Sequence, residues 1–352
     1  MSSGTGLCLT AGMARDGPRV RRAPPFRPLL RRAVRSAGLR LITQIHTCDY
    51  KPRPGPDAMA MGTNSQGVVG SQLVEDHLVS LREGLELSKR MGAELANCHS
   101  GHDSWSLDKG IDYLHRADGI AAEVGVAMTH ETHRRRLLWN PWQAWALAQA
   151  VPSARITADL SHWVCACERV FSSESDAEWP EILATVASRA ALIHARVGYN
   201  EGPQVPHPAA REARYEVEEH LKWWRTIVEA RAEAGDAEIF VEPEFGAPGY
   251  QRCTAFTREA EGDLWEINSY MAARFVKMCR GLRGVEAEMP PAMAAVMARC
   301  DERAAVAAGP AGAASAAAAE GRDWTGVAAG VAVGVVVGAG VAALVLGRGG
   351  GK

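Results

Sequence analysis

The chain of 352 residues has little that would staple or scaffold a small fold. Its eight cysteines include no CxxC motif, and Cys165-Ala-Cys167 is the nearest pair. That excludes a disulfide framework and a thiolate zinc ribbon, and it fits free thiols in a reducing compartment. Two ligands alone do not close a metal site, so this pair is not expected to form one. Residues 1–40 hold nine arginines, no lysine and the single acid Asp16. This segment therefore carries +8, and the net charge of −2 leaves −10 on the rest. A body that acidic is a poor binder of polyanions, so nucleic acid is not an expected partner. The composition, 47% hydrophobic and 23% charged, excludes a disordered chain and a polytopic membrane protein.

The two ends read differently from the middle. Residues 1–38, rich in Arg, Pro, Gly and Ser, match a disordered leader or an organelle transit peptide, mitochondrial or chloroplast. Residues 283–323 form an Ala-rich linker, which could be helical on either side of Pro310. From Thr325 to Gly347 there are 23 consecutive uncharged positions, flanked by Arg322, Trp324, Arg348 and Lys352. At 1.5 Å per residue this spans a ~30 Å hydrocarbon core. It predicts a single transmembrane helix over 324–348, a C-terminal membrane anchor, with Gly326, Gly330, Gly334 and Gly338 on one face.

Between them, residues 39–282 alternate short apolar runs with amphipathic stretches. Strands are expected at 39–47, 94–100, 126–131, 155–160, 190–196 and 237–244, and a weak one at 251–256. Helices are expected at 71–90, 107–123, 141–150, 180–188 and 211–234, with Ser106 and Asn140 as N-caps. Alternation of this kind predicts an α/β fold with a parallel sheet. The size suits a (β/α)8 TIM barrel of ~250 residues, here with its first strand lacking or degenerate.

In such a barrel the chemistry lies at the C-terminal ends of the strands. The six clear strands end at His46, His99, Glu131, Asp159, His194 and the Glu242–Glu244 pair. Carboxylates converging on one axis repel unless a cation sits among them. An oxygen-rich set with one imidazole suits a divalent ion such as Mn²⁺, Mg²⁺, Co²⁺ or Zn²⁺.

The stretches QIHT (44–47), NCHSGHDSW (97–105), HETHR (130–134), TADLSHW (157–163), HARVGYNEGPQVPHP (194–208) and EPEFG (242–246) resemble the xylose isomerase-like TIM barrels, the sugar phosphate isomerase/epimerase superfamily. The resemblance implies one divalent metal held by Glu131, Asp159, His194 and Glu244, with Glu242 the competing choice for the last. It implies Glu131 and Glu244 as the catalytic acid/base pair, passing a proton through an enediolate held at the metal. His162 of the Asp-x-x-His motif and, less directly, Arg196 would bind a carbohydrate-like substrate. His46, His99 and Trp105 would line the pocket, and His46 with His99 could take a second metal. The family often forms homodimers. A related class with this fold, the type-2 apurinic endonucleases, binds several zinc ions. Its Asp-x-His pair is absent here, where Val205 precedes His207 by two positions. A tethered barrel without catalysis is the third reading.

Overall fold

The computed structural model describes residues 8–12, 36, 39–48, 50–51, 68–69, 71–280, 282, 285–319, 331–338 and 341–347. Strands β1 (Cys8–Gly12) and β2 (Arg40–His46) open the chain, followed by the two-residue strands β3 (Tyr50–Lys51) and β4 (Val68–Val69), which pair with each other. Then α1 (Val74–Met91), β5 (Leu95–His99), α2 (Leu107–Val124), β6 (Ala127–Glu131), α3 (Pro141–Ala150) and β7 (Ile156–Ala158) alternate. After β7 come α4 (Leu160–Cys167), α5 (Trp179–Arg189), β8 (Ala190–His194), α6 (Arg214–Glu233) and β9 (Glu238–Glu242). The chain continues through α7 (Leu264–Arg280), β10 (Val285–Ala287), α8 (Pro291–Ala319), β11 (Val331–Gly338) and β12 (Val341–Gly347).

Strands β1, β2, β5, β6, β7, β8 and β9 lie side by side and parallel, an α/β sheet curled as a half-barrel. The helices begin where their sequences say they should. Ser106 Oγ accepts the Lys109 amide, and Asn140 Oδ1 accepts that of Gln143 ahead of Pro141. Their apolar faces bury Leu81, Leu85, Leu114, Leu147, Ile182 and Trp224 against the sheet. The body is therefore held mainly by burial of apolar area.

Several expectations are corrected. Residues 1–38 are expected to hold no element, yet Cys8–Gly12 pairs with Arg40–Gln44 as a first parallel strand. Five residues are too short to show a period. The eighth parallel strand is not found among the described residues. After β9 the sheet continues with β12 antiparallel, then β11, then β10. The segment at 251–256 is a loop with isolated bridges, broken by positive φ at Phe256 and Arg258. The linker is helical from 291 to 319, straight through Pro310.

The described part of 324–348 forms two antiparallel strands in place of the expected helix. Valines at 331, 333, 335, 336, 337, 341 and 345 are β-branched and favour the pleated surface, while the repeated glycines each cost a helix ~1 kcal/mol. Among the described residues no helix is long and apolar enough to cross a membrane. The rest of that segment, including Gly326 and Gly330, lies outside the described residues.

Two histidines in the walls fix loops around the open end of the sheet. His77 Nε2 donates to the Ser71 carbonyl at 2.9 Å, and its Nδ1 lies 2.7 Å from the Thr47 hydroxyl. His220 Nδ1 donates to the Glu216 carbonyl, leaving Nε2 to accept the Gly198 amide at 3.2 Å. Gly198 passes so close to α4 that a Cβ there would lie 2.6 Å from the Ser161 carbonyl oxygen. Burial lowers both imidazoles from 6.5 to about 4. Above pH 6.5 both are neutral whether folded or unfolded, and their share of stability is intact. As pH falls from 6.5 towards 4 the unfolded chain takes up protons that the folded one refuses. Stability is therefore expected to drop across that window, by on the order of 3 kcal/mol per histidine. Urea melts at stepped pH should show this slope, reduced in His220→Gln.

Candidate metal centre

The inward side chains come from the last residues of the strands or from the turns after them. Gln44 and His46 leave β2 on one face, Asn97 and His99 leave β5, and Glu131 ends β6. Strand β7 stops at Ala158, so Asp159 becomes the residue before α4. The Thr132 hydroxyl fixes it, donating to the Asp159 carbonyl and accepting the Asp159 amide, both at 2.8 Å. His194 ends β8, and Glu244 lies two residues beyond β9.

Glu131, Asp159 and His194 are each at most 2% exposed. His194 Nδ1 sits 2.7 Å from Glu244 Oε2, 3.5 Å from Asp159 Oδ2 and 3.9 Å from Glu131 Oε2. Three carboxylates from three strands thus surround one imidazole nitrogen. Asp159, His194 and Glu244 can offer ligand atoms all within 4.8 Å of one another, and so can Glu131, Asp159 and His162. Glu131 Oε1 is buried with no hydrogen-bond partner. A buried carboxylate oxygen left so is costly, and a cation beside it removes that cost. The residues therefore fit a divalent ion.

The electrostatics agree. Burial opposes ionisation of Asp159, but Arg196 and His162 hold its carboxyl well below the usual range. Burial likewise opposes charge on His194, yet Glu244 and Glu131 raise it well above 6.5. Burial pushes Glu244 up to about 7 against the pull of His194 and Arg196. Its backbone is strained as well, with φ of 57°. That left-handed turn is what brings Glu244 to His194 Nδ1. Glu242, the alternative, ends the strand proper, with Oε2 3.9 Å from His194 Nε2 on the ring's other edge.

The expected pocket residues divide. Arg196 is buried and donates to Asp159, to Ser161 Oγ at 3.1 Å and to His162 Nε2 at 2.8 Å. With Nε2 accepting, neutral His162 carries its proton on Nδ1, a buried donor with no partner, which a substrate oxygen would satisfy. His46 stacks on His99 with centroids 4.2 Å apart. Trp105 is a correction: it packs on His77 and Tyr113 and donates its indole N–H to the Gln72 carbonyl, on the helix side of the sheet. Trp163 is likewise a packing residue, bonded to the Leu138 carbonyl.

The site also holds residues to which the sequence alone assigns no role. His133 lies between His99 and His162, with ring centroids 4.1 and 3.8 Å away. Its Nδ1 donates to the Arg134 carbonyl, so Nε2 keeps a free lone pair. His99, Glu131 and His133 form a second group able to hold an ion. Asn97 Nδ2 donates to Glu131 Oε2 at 2.5 Å, and Tyr250 carries the Arg196 guanidinium 4.6 Å above its ring. The signal for His133 is its spacing two residues after Glu131, which keeps the same face. In a further cluster of His207, Glu266 and Cys300, Arg303 donates to both Glu266 and Cys300.

No protein-family model matches this chain, and no curated protein matches it. Solved structures similar to it include an L-ribulose 3-epimerase, at 14% identity and a TM-score of 0.35, matching 53% of this chain and 58% of that one. Endonuclease IV from Thermus thermophilus matches at 14% identity over 58% of this chain and 72% of its own, with a TM-score of 0.36. A xylose isomerase-like TIM barrel protein from Mycobacterium smegmatis, in complex with magnesium, matches at 14% identity over 59% and 69%, with a TM-score of 0.37. The chain thus spans less than two thirds of the epimerase's length.

Proposed function

We propose that this chain is a divalent-metal-dependent isomerase or epimerase of a sugar or sugar-like hydroxy-carbonyl compound. The observation that carries this reading is the convergence of Glu131, Asp159, His194 and Glu244, buried or half-buried, around one point. Glu131, Asp159, His194 and Glu244 would hold one Mn²⁺, Mg²⁺, Co²⁺ or Zn²⁺ ion, which supplies Lewis-acid polarisation of a carbonyl and its neighbouring hydroxyl.

The remaining work belongs to side chains. Glu131 and Glu244 come from strands separated in the sheet by β7 and β8, so they approach a bound molecule from different sides. One carboxylate takes the proton from the carbon next to the carbonyl, and the other returns one to the opposite face. Return to the adjacent carbon gives isomerisation. His162 Nδ1–H donates to the oxygen on which charge develops. Arg196 holds Asp159 and His162 in place. The low exposure of the site excludes water and strengthens each of these interactions.

The test is deuterium incorporation from D₂O into a panel of ketoses and hydroxy-keto acids by the metal-loaded chain. Exchange at the carbon beside the carbonyl is expected, and its absence with every compound would sink the proposal. Metal analysis of the purified protein should give about one equivalent of divalent ion, lost in Glu131→Gln and in Glu244→Gln.

A second reading, hydrolysis of a phosphodiester by a multinuclear centre, is favoured by the adjoining His99, Glu131 and His133 group. Two or three equivalents of zinc, with phosphodiesterase activity and no exchange, would establish it instead.

A further inference from the structure

The reading above leaves Arg134, a cation near the site, without a task. Arg196 is committed to Asp159. Arg134, three residues after Glu131, is half-buried and forms no ion pair with a carboxylate among the described residues. Its Nη1 donates only to the Cys165 thiol, at 3.4 Å, and a neutral sulfur is a weak acceptor. Its guanidinium carbon lies 5.7 Å from the centre of the Tyr250 ring, which also has Arg196 at 4.6 Å and the His162 ring at 6.3 Å. Tyr250 therefore neighbours both a guanidinium bound into the centre and one with spare donors. His162, the proposed donor to the reacting oxygen, faces both.

We propose that Arg134 is the specificity residue for a carboxylate on the substrate, so that the substrate class is a hydroxy-keto acid of the uronate type. The assignment rests on the isomerase/epimerase reading and deepens it. The guanidinium fork matches a carboxylate bidentately, and Tyr250 covers its face. One fork neutralises one negative charge. A phosphate dianion would be left half-neutralised in a body that is already acidic, which is why the carboxylate is favoured. Arg134 and the His162 ring both neighbour Tyr250, so the anion would bind near the reacting carbonyl.

Three probes with one ketose head test this: D-fructose, D-fructuronate and D-fructose 6-phosphate. Their binding to the full chain loaded with Mn²⁺ is measured by calorimetry, and their deuterium exchange is followed alongside. Fructuronate is expected to bind on the order of tenfold or more tightly than fructose. Arg134→Gln should abolish that preference and leave fructose binding within about twofold, while Arg134→Lys keeps part of it. A purely structural Arg134, holding the Tyr250 loop, would change the binding of all three alike. Equal binding of fructose and fructuronate, a preference for the phosphate, or a parallel loss in Arg134→Gln overturns the assignment while sparing the isomerase reading. Failure of the wild-type protein to bind or exchange any of the three would instead count against that reading, and the Arg134 assignment would fall with it. Arg134 is partly exposed, and a circular-dichroism melt confirms that the variant folds.

Discussion

In Glu244→Gln, deuterium exchange into a substrate should fall by about 10²–10⁴-fold, the usual contribution of a positioned acid or base. Glutamine keeps the shape and removes both the negative charge and the titration. Two features make Glu244 the more sensitive of the two glutamates proposed as the acid/base pair. Burial lifts its carboxyl to about 7, so it can both hold and release a proton near neutrality. Its backbone is held at φ of 57°, a conformation retained only because the surrounding fold imposes it. Glu242→Gln is the matched control. It lies two residues earlier and is buried, but its oxygen approaches the far edge of His194. It should lose less than about tenfold. Equal losses in the two variants would show that the turn does not select between them. Exchange unchanged in Glu244→Gln would remove it from the acid/base pair.

Asp159→Asn should produce the largest loss of stability. Asp159 is fully buried, accepts from Arg196 and from Ser161, and lies 3.5 Å from His194. Removing its charge leaves the buried Arg196 guanidinium without its main partner. Breaking such a pair costs about 3–5 kcal/mol. For a body of this size each kcal/mol lowers the melting temperature by roughly 2–4 °C, so a fall of roughly 6–20 °C is expected. The sign with pH follows from the lowered Asp159 value. Its contribution is present above the unfolded value of 3.8 and is lost as pH falls below it. Arg196→Met provides the contrast. It removes the cation and leaves the carboxylates facing one another, so added Mn²⁺ or Zn²⁺ should restore much of its stability by mass action. The same ion should do less for Asp159→Asn, which would lose a proposed ligand. If neither variant responds to metal, the carboxylates do not form an ion site.

The positions of the site residues are legible because strand alternation and strand ends are short-range features. Runs such as Leu95–His99 and Ala190–His194 announce both the strand and the residue it presents. The choice between Glu242 and Glu244 is not legible, since alternation puts both on one face and only the left-handed turn separates them. Trp105 departs from expectation for a related reason. It lies beyond β5, where the path of the loop, with Gly101 at φ of 61°, decides which side of the sheet it meets. The valine and glycine run near the C-terminus satisfies the length rule for a span and the propensity rule for a strand at once, and its pairing with β9 decides. Tyr250 and Arg134 come together across more than a hundred residues of sequence, and no local pattern brings them into view.

The imidazoles have one more consequence, for how the protein buffers. Of eleven histidines, His46, His77, His99, His133, His162, His207 and His220 are all lowered from their ordinary value, each chiefly by burial. His46, His99, His133 and His162 also stand in a row at centroid distances of 4.2, 4.1 and 3.8 Å, where a proton on one discourages a proton on the next. With seven imidazoles held low, the folded chain buffers less between pH 5 and 7 than the unfolded chain does. Unfolding in that range should draw protons from solution, and a lightly buffered sample should turn alkaline as it melts.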